Sequence, residues 1–228
     1  PQREAVRHAR AGLRRFDISV TRRSQRLSGS FRRPSPQRRA LVPNRRLNLL
    51  VAESEPGEAR DQRRESVGRS SGETYEAVLA HIALGADIQR IKPVDTPGEI
   101  PDAAGLADFD GVFLTGSPLH LYKETPETRR VVEFMCAVFD AGVPAFGSCA
   151  GLQVATVAAG GSVRPMGERR EAGFARRIFP TEAGRSHPLL RGRPPAFDAP
   201  AIHSDEVAAL PDGVAAPAEG AHHLVEAG

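Results

Sequence analysis

Short apolar runs alternate with amphipathic stretches from Leu47 onward, and this alternation organises the chain. Leu47-Asn48-Leu49-Leu50-Val51-Ala52 is too continuously apolar for a strand with one wet face and predicts a buried one. The polar stretch Glu53–Gly72, rich in Glu and Arg, reads as a long connection. Ser71-Gly72-Glu73 then opens a helix through Tyr75, Val78, Leu79 and Ile82, which Gly85 stops. Asp87–Ile91 predicts a second strand, and Pro93, Pro97, Gly98 and Pro101 mark the loop beyond it.

Gly111–Thr115 reads as a third strand, ending in Gly116-Ser117-Pro118. Thr125-Pro126-Glu127 has the form of a helix start: a capping hydroxyl, proline at the first position and acid in the first turn. That helix is expected to reach about Ala141. Val143-Pro144-Ala145-Phe146 is a fourth short run, followed by small apolar residues at helical spacing (Leu152, Val154, Ala155, Val157, Ala158) up to Gly160-Gly161. Strand and helix in alternation predict an α/β fold, an open, mostly parallel sheet with flanking helices and right-handed crossovers.

The texture then changes. Residues 162–185 are heavily charged, with Gly173–Phe179 as a further strand, and His187–Leu190 and Pro194-Pro195 are loop-like. Ala201-Ile202-His203-Ser204-Asp205-Glu206-Val207 precedes Leu210-Pro211-Asp212-Gly213. Read as one strand, it places His203 and Asp205 on one face, as a base and its orienting acid would be.

Charge divides the chain further. Residues 1–46 hold 14 Arg and no Lys against Glu4 and Asp17, a net +12, so the other 182 residues carry −9. The basic overall balance belongs to this extension, which lacks a buried face and is expected to be disordered and dispensable. Its composition also fits a transit peptide, an RNA-binding arm or upstream sequence translated from a wrong start. The acidic remainder, residues 47–228, forms the domain, and nucleic-acid binding would rest on the extension alone. Two cysteines suit a reducing, cytoplasmic setting, and Cys136 lies among core-type residues. No apolar run approaches a membrane span, and neither a metal site nor a cofactor is expected.

The chemistry is declared at Gly147-Ser148-Cys149-Ala150-Gly151-Leu152-Gln153. A cysteine between two glycines, on a turn from strand to helix, is the thiol version of a nucleophile elbow. Gly147 and Gly151 allow a tight turn, and the helix N-terminus is expected to favour a thiolate. The N–H of Ala150 faces the space where an oxyanion would form.

These residues resemble the G-x-C-x-G-x-Q signature of class I glutamine amidotransferases, and the likeness runs from about Leu47 to the end. It is nearest to stand-alone domains similar to the amidotransferase half of GMP synthase, and plant γ-glutamyl peptidases look similar too. The resemblance implies a flavodoxin-like sheet and a γ-glutamyl thioester on Cys149, with glutamine or another γ-glutamyl compound as substrate. It makes Gly116 and Ser117 the oxyanion strand, with the N–H of Ser117 joining that of Ala150. Ser117 stands where the family usually has glycine, a departure that matters only if the position needs positive φ. Gln153, His203, Ser204 and Asp205 become substrate-binding positions. The family's base comes from a later His-Pro-Glu motif that this sequence does not contain. His223 and Glu226 are poorly spaced to replace it, so the resemblance implies a domain truncated before that motif, and the chain as given is expected to turn over glutamine very slowly or not at all. An ammonia-using synthetase would be a separate partner. A γ-glutamyl peptidase and a non-catalytic glutamine-binding domain remain open alternatives.

Overall fold

A computed structural model describes residues 45–95, 100–167, 170–214, 216 and 218–219. The extension assigned to residues 1–46 thus lies outside the described residues except for Arg45 and Arg46, as do His223 and Glu226. The main sheet has four parallel strands in the order β2-β1-β3-β4. They are β1 (Asn48–Ala52), β2 (Asp87–Ile91), β3 (Gly111–Leu114) and β4 (Ala145–Gly147). Register aligns Ala52 with Leu114 and Leu114 with Gly147. One further bond on each strand, Thr115 N–H to Ala52 O and Ser148 N–H to Leu114 O, extends the ladder toward the carboxyl ends. Glu53, Thr115-Gly116 and Ser148-Cys149 therefore emerge along one edge, where open α/β sheets place ligands.

The continuous apolar character of β1 follows from burial on both faces. Leu50, Ala52, Val112 and Leu114 pack on one side with Val131, Phe134, Met135, Val138 and Val154. Leu49 and Val51 pack on the other with Leu79 and Tyr75. The helices supplying these partners are α2 (Ser71–Ile82), α4 (Pro126–Asp140) and α5 (Ala150–Ala158). Thr125 caps α4 by accepting from Thr128 N–H, with Pro126 beside it, as the sequence pattern predicts.

The connection expected over Glu53–Gly72 is instead largely helical. Helix α1 (Gly57–Val67) ends at Gly68, whose φ of 83° makes the left-handed cap. It escapes a periodicity search because its inward residue is charged. The buried Arg60 donates to Glu55 O at 2.6 Å and pairs with Asp95. The short α3 (Ala103–Leu106) precedes β3.

Beyond α5, β5 (Ser162–Pro165) pairs antiparallel with β8 (Asp205–Ala209), and β6 (Glu171–Pro180) pairs antiparallel with β7 (Phe197–His203) and β9 (Ala218–Glu219). The strand expected at Gly173–Phe179 is thus present and longer. The stretch 201–207 is not one strand: the chain bends at Ser204 and passes from β7 into β8. The loop-like stretch from His187 contains the 3-10 turn Pro188–Leu190.

Candidate functional site

The elbow is a strained turn. Cys149 sits between β4 and α5 with φ 54° and ψ −115°, and it is one of two non-glycine residues at positive φ among those described. An L-residue adopts that conformation only when its surroundings enforce it. The flanking glycines show how. A Cβ on Gly147 would lie 2.5 Å from the carbonyl carbon of Gly151, and one on Gly151 would lie 2.4 Å from Leu114 O. Backbone on backbone at such range leaves no room for a side chain, so close packing rather than left-handed geometry demands these glycines. Gly116, at the end of β3, also approaches the thiol closely, since a Cβ there would stand 3.9 Å from Cys149 Sγ.

The thiol donates to Ile202 O of β7 at 3.6 Å. Its side chain is reached from solvent at the mouth of a cavity, yet the surrounding walls strip enough water to push the thiol above its ordinary pKa. The Ala150 N–H holds it down and the Asp205 carboxylate pushes it up further, both less strongly. The helix-terminal field expected from the sequence is present, but desolvation outweighs it. Beside the turn, Ser148 Oγ bonds the Tyr75 hydroxyl, and burial raises the Tyr75 phenol.

The cavity has a volume of about 280 Å³ and gathers Ser117, Ala150, Gln153, His203, Ser204 and Asp205 around Cys149. Ser117 does not adopt positive φ, so its replacement of glycine brings no backbone strain. Its Oγ accepts from Leu119 N–H at 3.3 Å. Gln153 is buried, and its Nε2 donates to Asp205 O at 3.1 Å, bracing the start of β8.

His203 and Asp205 do not form the base–acid pair that a single strand face would allow. The Nδ1 of His203 meets the main-chain oxygen of Asp205 at 3.0 Å, and its Nε2 lies 3.1 Å from Glu171 Oε2. The buried Asp205 carboxylate turns instead to His120, whose Nδ1 is 2.8 Å from Oδ2, while Ser204 Oγ donates to Oδ1 at 3.3 Å. His120 also lines the cavity. Sequence reasoning missed it because its partner lies 85 positions away and no motif spacing links them. Its one sequence signal is position, three residues beyond Ser117. Among the described residues no group of three or more His, Cys, Asp or Glu is placed to hold a metal ion.

The site thus combines a thiol on a strained elbow, a backbone N–H at its side, and an imidazole backed by a carboxylate. Such a set can carry acyl transfer through a thioester.

Known proteins resemble this chain in sequence and in fold. The glutamine amidotransferase class-I family profile matches residues 71–227. A γ-glutamyl-L-1-hydroxyisopropylamide hydrolase from a Pseudomonas species is 33% identical over 171 residues, which are 74% of this chain and 57% of that protein. A glutamine-hydrolysing GMP synthase from Leifsonia xyli is 31% identical over 139 residues, 61% of this chain but 24% of the synthase. Among solved structures, a glutamine amidotransferase from Thermotoga maritima superposes with a TM-score of 0.60 at 16% identity, covering 80% of this chain and 70% of that one. A glutamine amidotransferase from Methylobacillus flagellatus gives 0.56 at 17% identity, covering 80% and 67%. These structures speak for the flavodoxin-like fold. With the profile spanning more than half of its length, the chain belongs to the class I glutamine amidotransferase family.

Proposed function

We propose that this chain opens the side-chain amide of glutamine, or of a related γ-glutamyl amide, through a thioester on Cys149. The observation that carries the reading is the elbow itself: Cys149 held at φ 54° at the carboxyl edge of a parallel sheet, facing the cavity. Sγ attacks the amide carbon, and the N–H groups of Ala150 and Ser117 receive the developing oxyanion. The nitrogen leaves as ammonia or an amine, and water then resolves the γ-glutamyl thioester. Gly116, Gln153, His203, Ser204 and Asp205 shape the pocket for the γ-glutamyl group. Gln153 and His203 do so by fixing the β7–β8 bend rather than by offering free polar groups.

Two leaving groups fit. The glutamine-hydrolysing synthases favour ammonia passed to a separate synthetase, because the matched segment is about a quarter of such proteins. The Pseudomonas hydrolase favours a substituted amine, because its match covers more of both chains. The test is release of ammonia from glutamine and of amine from a γ-glutamyl alkylamide by the full chain, beside Cys149→Ala. Release that Cys149→Ala abolishes is expected. Tight glutamine binding with no release from either amide would favour a binding domain instead.

A further inference from the structure

We propose that Ser71 and Tyr75, one turn apart on α2, are positioning residues that hold the peptides presenting the Ser117 and Ala150 N–H groups to the developing oxyanion. The inference rests on the γ-glutamyl reading above and deepens it. It concerns a helix that lines no part of the cavity yet touches both turns that do.

Helix α2 starts at the carboxyl edge of the sheet because two carboxylates hold it there. Buried Glu53 accepts from Gly72 N–H at 2.8 Å, and buried Glu55 accepts from Ser71 N–H at 3.1 Å. Negative charge on first-turn N–H groups suits the positive end of a helix. A Cβ on Gly72 would stand 2.9 Å from Glu53 Cδ, so only glycine lets the helix sit this close. Residues four apart share a helix face, and here Ser71 and Tyr75 each reach a different turn of the site.

Ser71 reaches the end of β3. Its hydroxyl donates to Thr115 Oγ1 at 3.1 Å, and Ser54 N–H donates to the same oxygen at 3.0 Å. The buried Thr115 hydroxyl in turn donates to Gly116 O at 3.2 Å. That oxygen and the Ser117 N–H belong to one planar trans peptide and point in opposite directions. Holding Gly116 O toward Thr115 therefore turns the Ser117 N–H the other way.

Tyr75 reaches the elbow. Its ring packs with Leu49, Val51 and Leu79 under β1, and its hydroxyl shares a hydrogen bond with Ser148 Oγ. Burial raises the phenol above its ordinary pKa, so its O–H stays intact at neutral pH. Ser148 is also held through its backbone, its N–H donating to Leu114 O at 3.3 Å and its O accepting from Gly151 N–H at 2.9 Å. The next carbonyl, Cys149 O, accepts from Gln153 N–H at 3.2 Å, and the same peptide planarity turns the Ala150 N–H out of the start of α5. One helix face thus sets both donor peptides, and preorganised donors are worth most when they need no rearrangement as charge develops.

The experiment uses the full chain with Tyr75→Phe, Ser71→Ala, Ser148→Val and Ser148→Thr, each checked for an unchanged melting temperature. Release of p-nitroaniline from γ-glutamyl-p-nitroanilide gives kcat and KM. Tyr75→Phe, Ser71→Ala and Ser148→Val should each lower kcat about 10–10²-fold and leave KM nearly unchanged, since a displaced donor weakens the transition state more than substrate binding. Tyr75→Phe combined with Ser148→Val should be no slower than either alone, because both remove one bond. Ser148→Thr, which matches valine in shape but keeps the hydroxyl, should recover the rate. An unchanged kcat in Ser71→Ala or Tyr75→Phe overturns the proposal, as does an equal loss in Ser148→Thr and Ser148→Val. If the wild type releases no p-nitroaniline, the proposed function fails, and ultraviolet absorption then reads the brace. The chain has two tyrosines and no tryptophan, so with Tyr122→Phe the tyrosine band reports Tyr75 alone. Alkylation of Cys149 by iodoacetamide should shift that band, with no shift in Cys149→Ala. A shift that Ser148→Val removes supports the coupling of α2 to the elbow. No shift, or one that survives Ser148→Val, overturns it.

Discussion

At the scale of single residues, Cys149 combines strain with a suppressed charge. Holding a non-glycine residue at φ 54° costs on the order of 1–3 kcal/mol, offset by the packing that enforces it. Gly151→Ala should therefore be poorly tolerated, because its Cβ would meet Leu114 O at 2.4 Å. The expected loss is roughly 1–3 kcal/mol, seen as a lower melting temperature, together with reduced ammonia release as the elbow shifts. The pKa of the thiol is raised mainly by burial, so the thiolate population grows only above the ordinary thiol range. The dominant rise in alkylation rate should accordingly lie above the ordinary thiol range. Asp205→Asn should move that rise downward, since it removes a negative charge that disfavours the thiolate. A rise that stayed in place would show that the carboxylate does not act on the sulfur.

At the scale of elements, α1 and α2 are joined by a charged cap. Ser70 accepts from Glu73 N–H while Glu73 Oε2 accepts from Ser70 N–H, and Arg64 of α1 binds the same carboxylate at 2.8 Å. Chiefly through the Arg64 bond, the Glu73 carboxyl is lowered to about 2 from an ordinary 4.5. A carboxylate lowered on folding stabilises the protein above its unfolded pKa and loses that contribution as pH falls through the folded one. The Glu73 contribution should thus be complete above about pH 4.5 and mostly gone by pH 2. The pair is partly exposed, so solvent screening keeps its contribution small. Urea unfolding at pH 7, 4 and 2 checks this. Glu73→Gln should be less stable than wild type at pH 7, and the difference should close at pH 2. Capping residues of this kind are legible in sequence because each acts on N–H groups two or three positions away. The helix α1 was not legible, because its buried Arg60 carries none of the apolar spacing by which helices are recognised.

At the scale of the molecule, stability rests on a sheet covered on both faces. Phe134 of α4 is 1% exposed in the larger cluster, whereas Val78 on the outer side of α2 is 52% exposed. Phe134→Ala should cost about 3–5 kcal/mol, since both burial and packing are lost. Val78→Ala should change stability by less than about 0.5 kcal/mol. Urea midpoints for the two variants, at matched slopes, decide the matter. Equal shifts would show that this face of the sheet is not the core.

What the sequence determined by itself was whatever neighbouring residues settle among themselves. The Gly147–Gly151 frame, the helix starts at Ser71 and Pro126, and the apolar runs of β1 and β3 all act over a few positions. Each is readable from the order of residues alone. Only the tertiary structure decided which polar side chains meet. It sent the Asp205 carboxylate to His120 rather than His203, and it spent the amide of Gln153 on a backbone oxygen. It also folded the 201–207 stretch at Ser204 into two strands of different sheets. These outcomes depend on parallel register, which brings the ends of β1, β3 and β4 to one edge, and on where a distant strand pair then closes over it. Local chemistry carries no information about such meetings, because a hydrogen bond across 85 positions is chosen by the packing of everything between its partners.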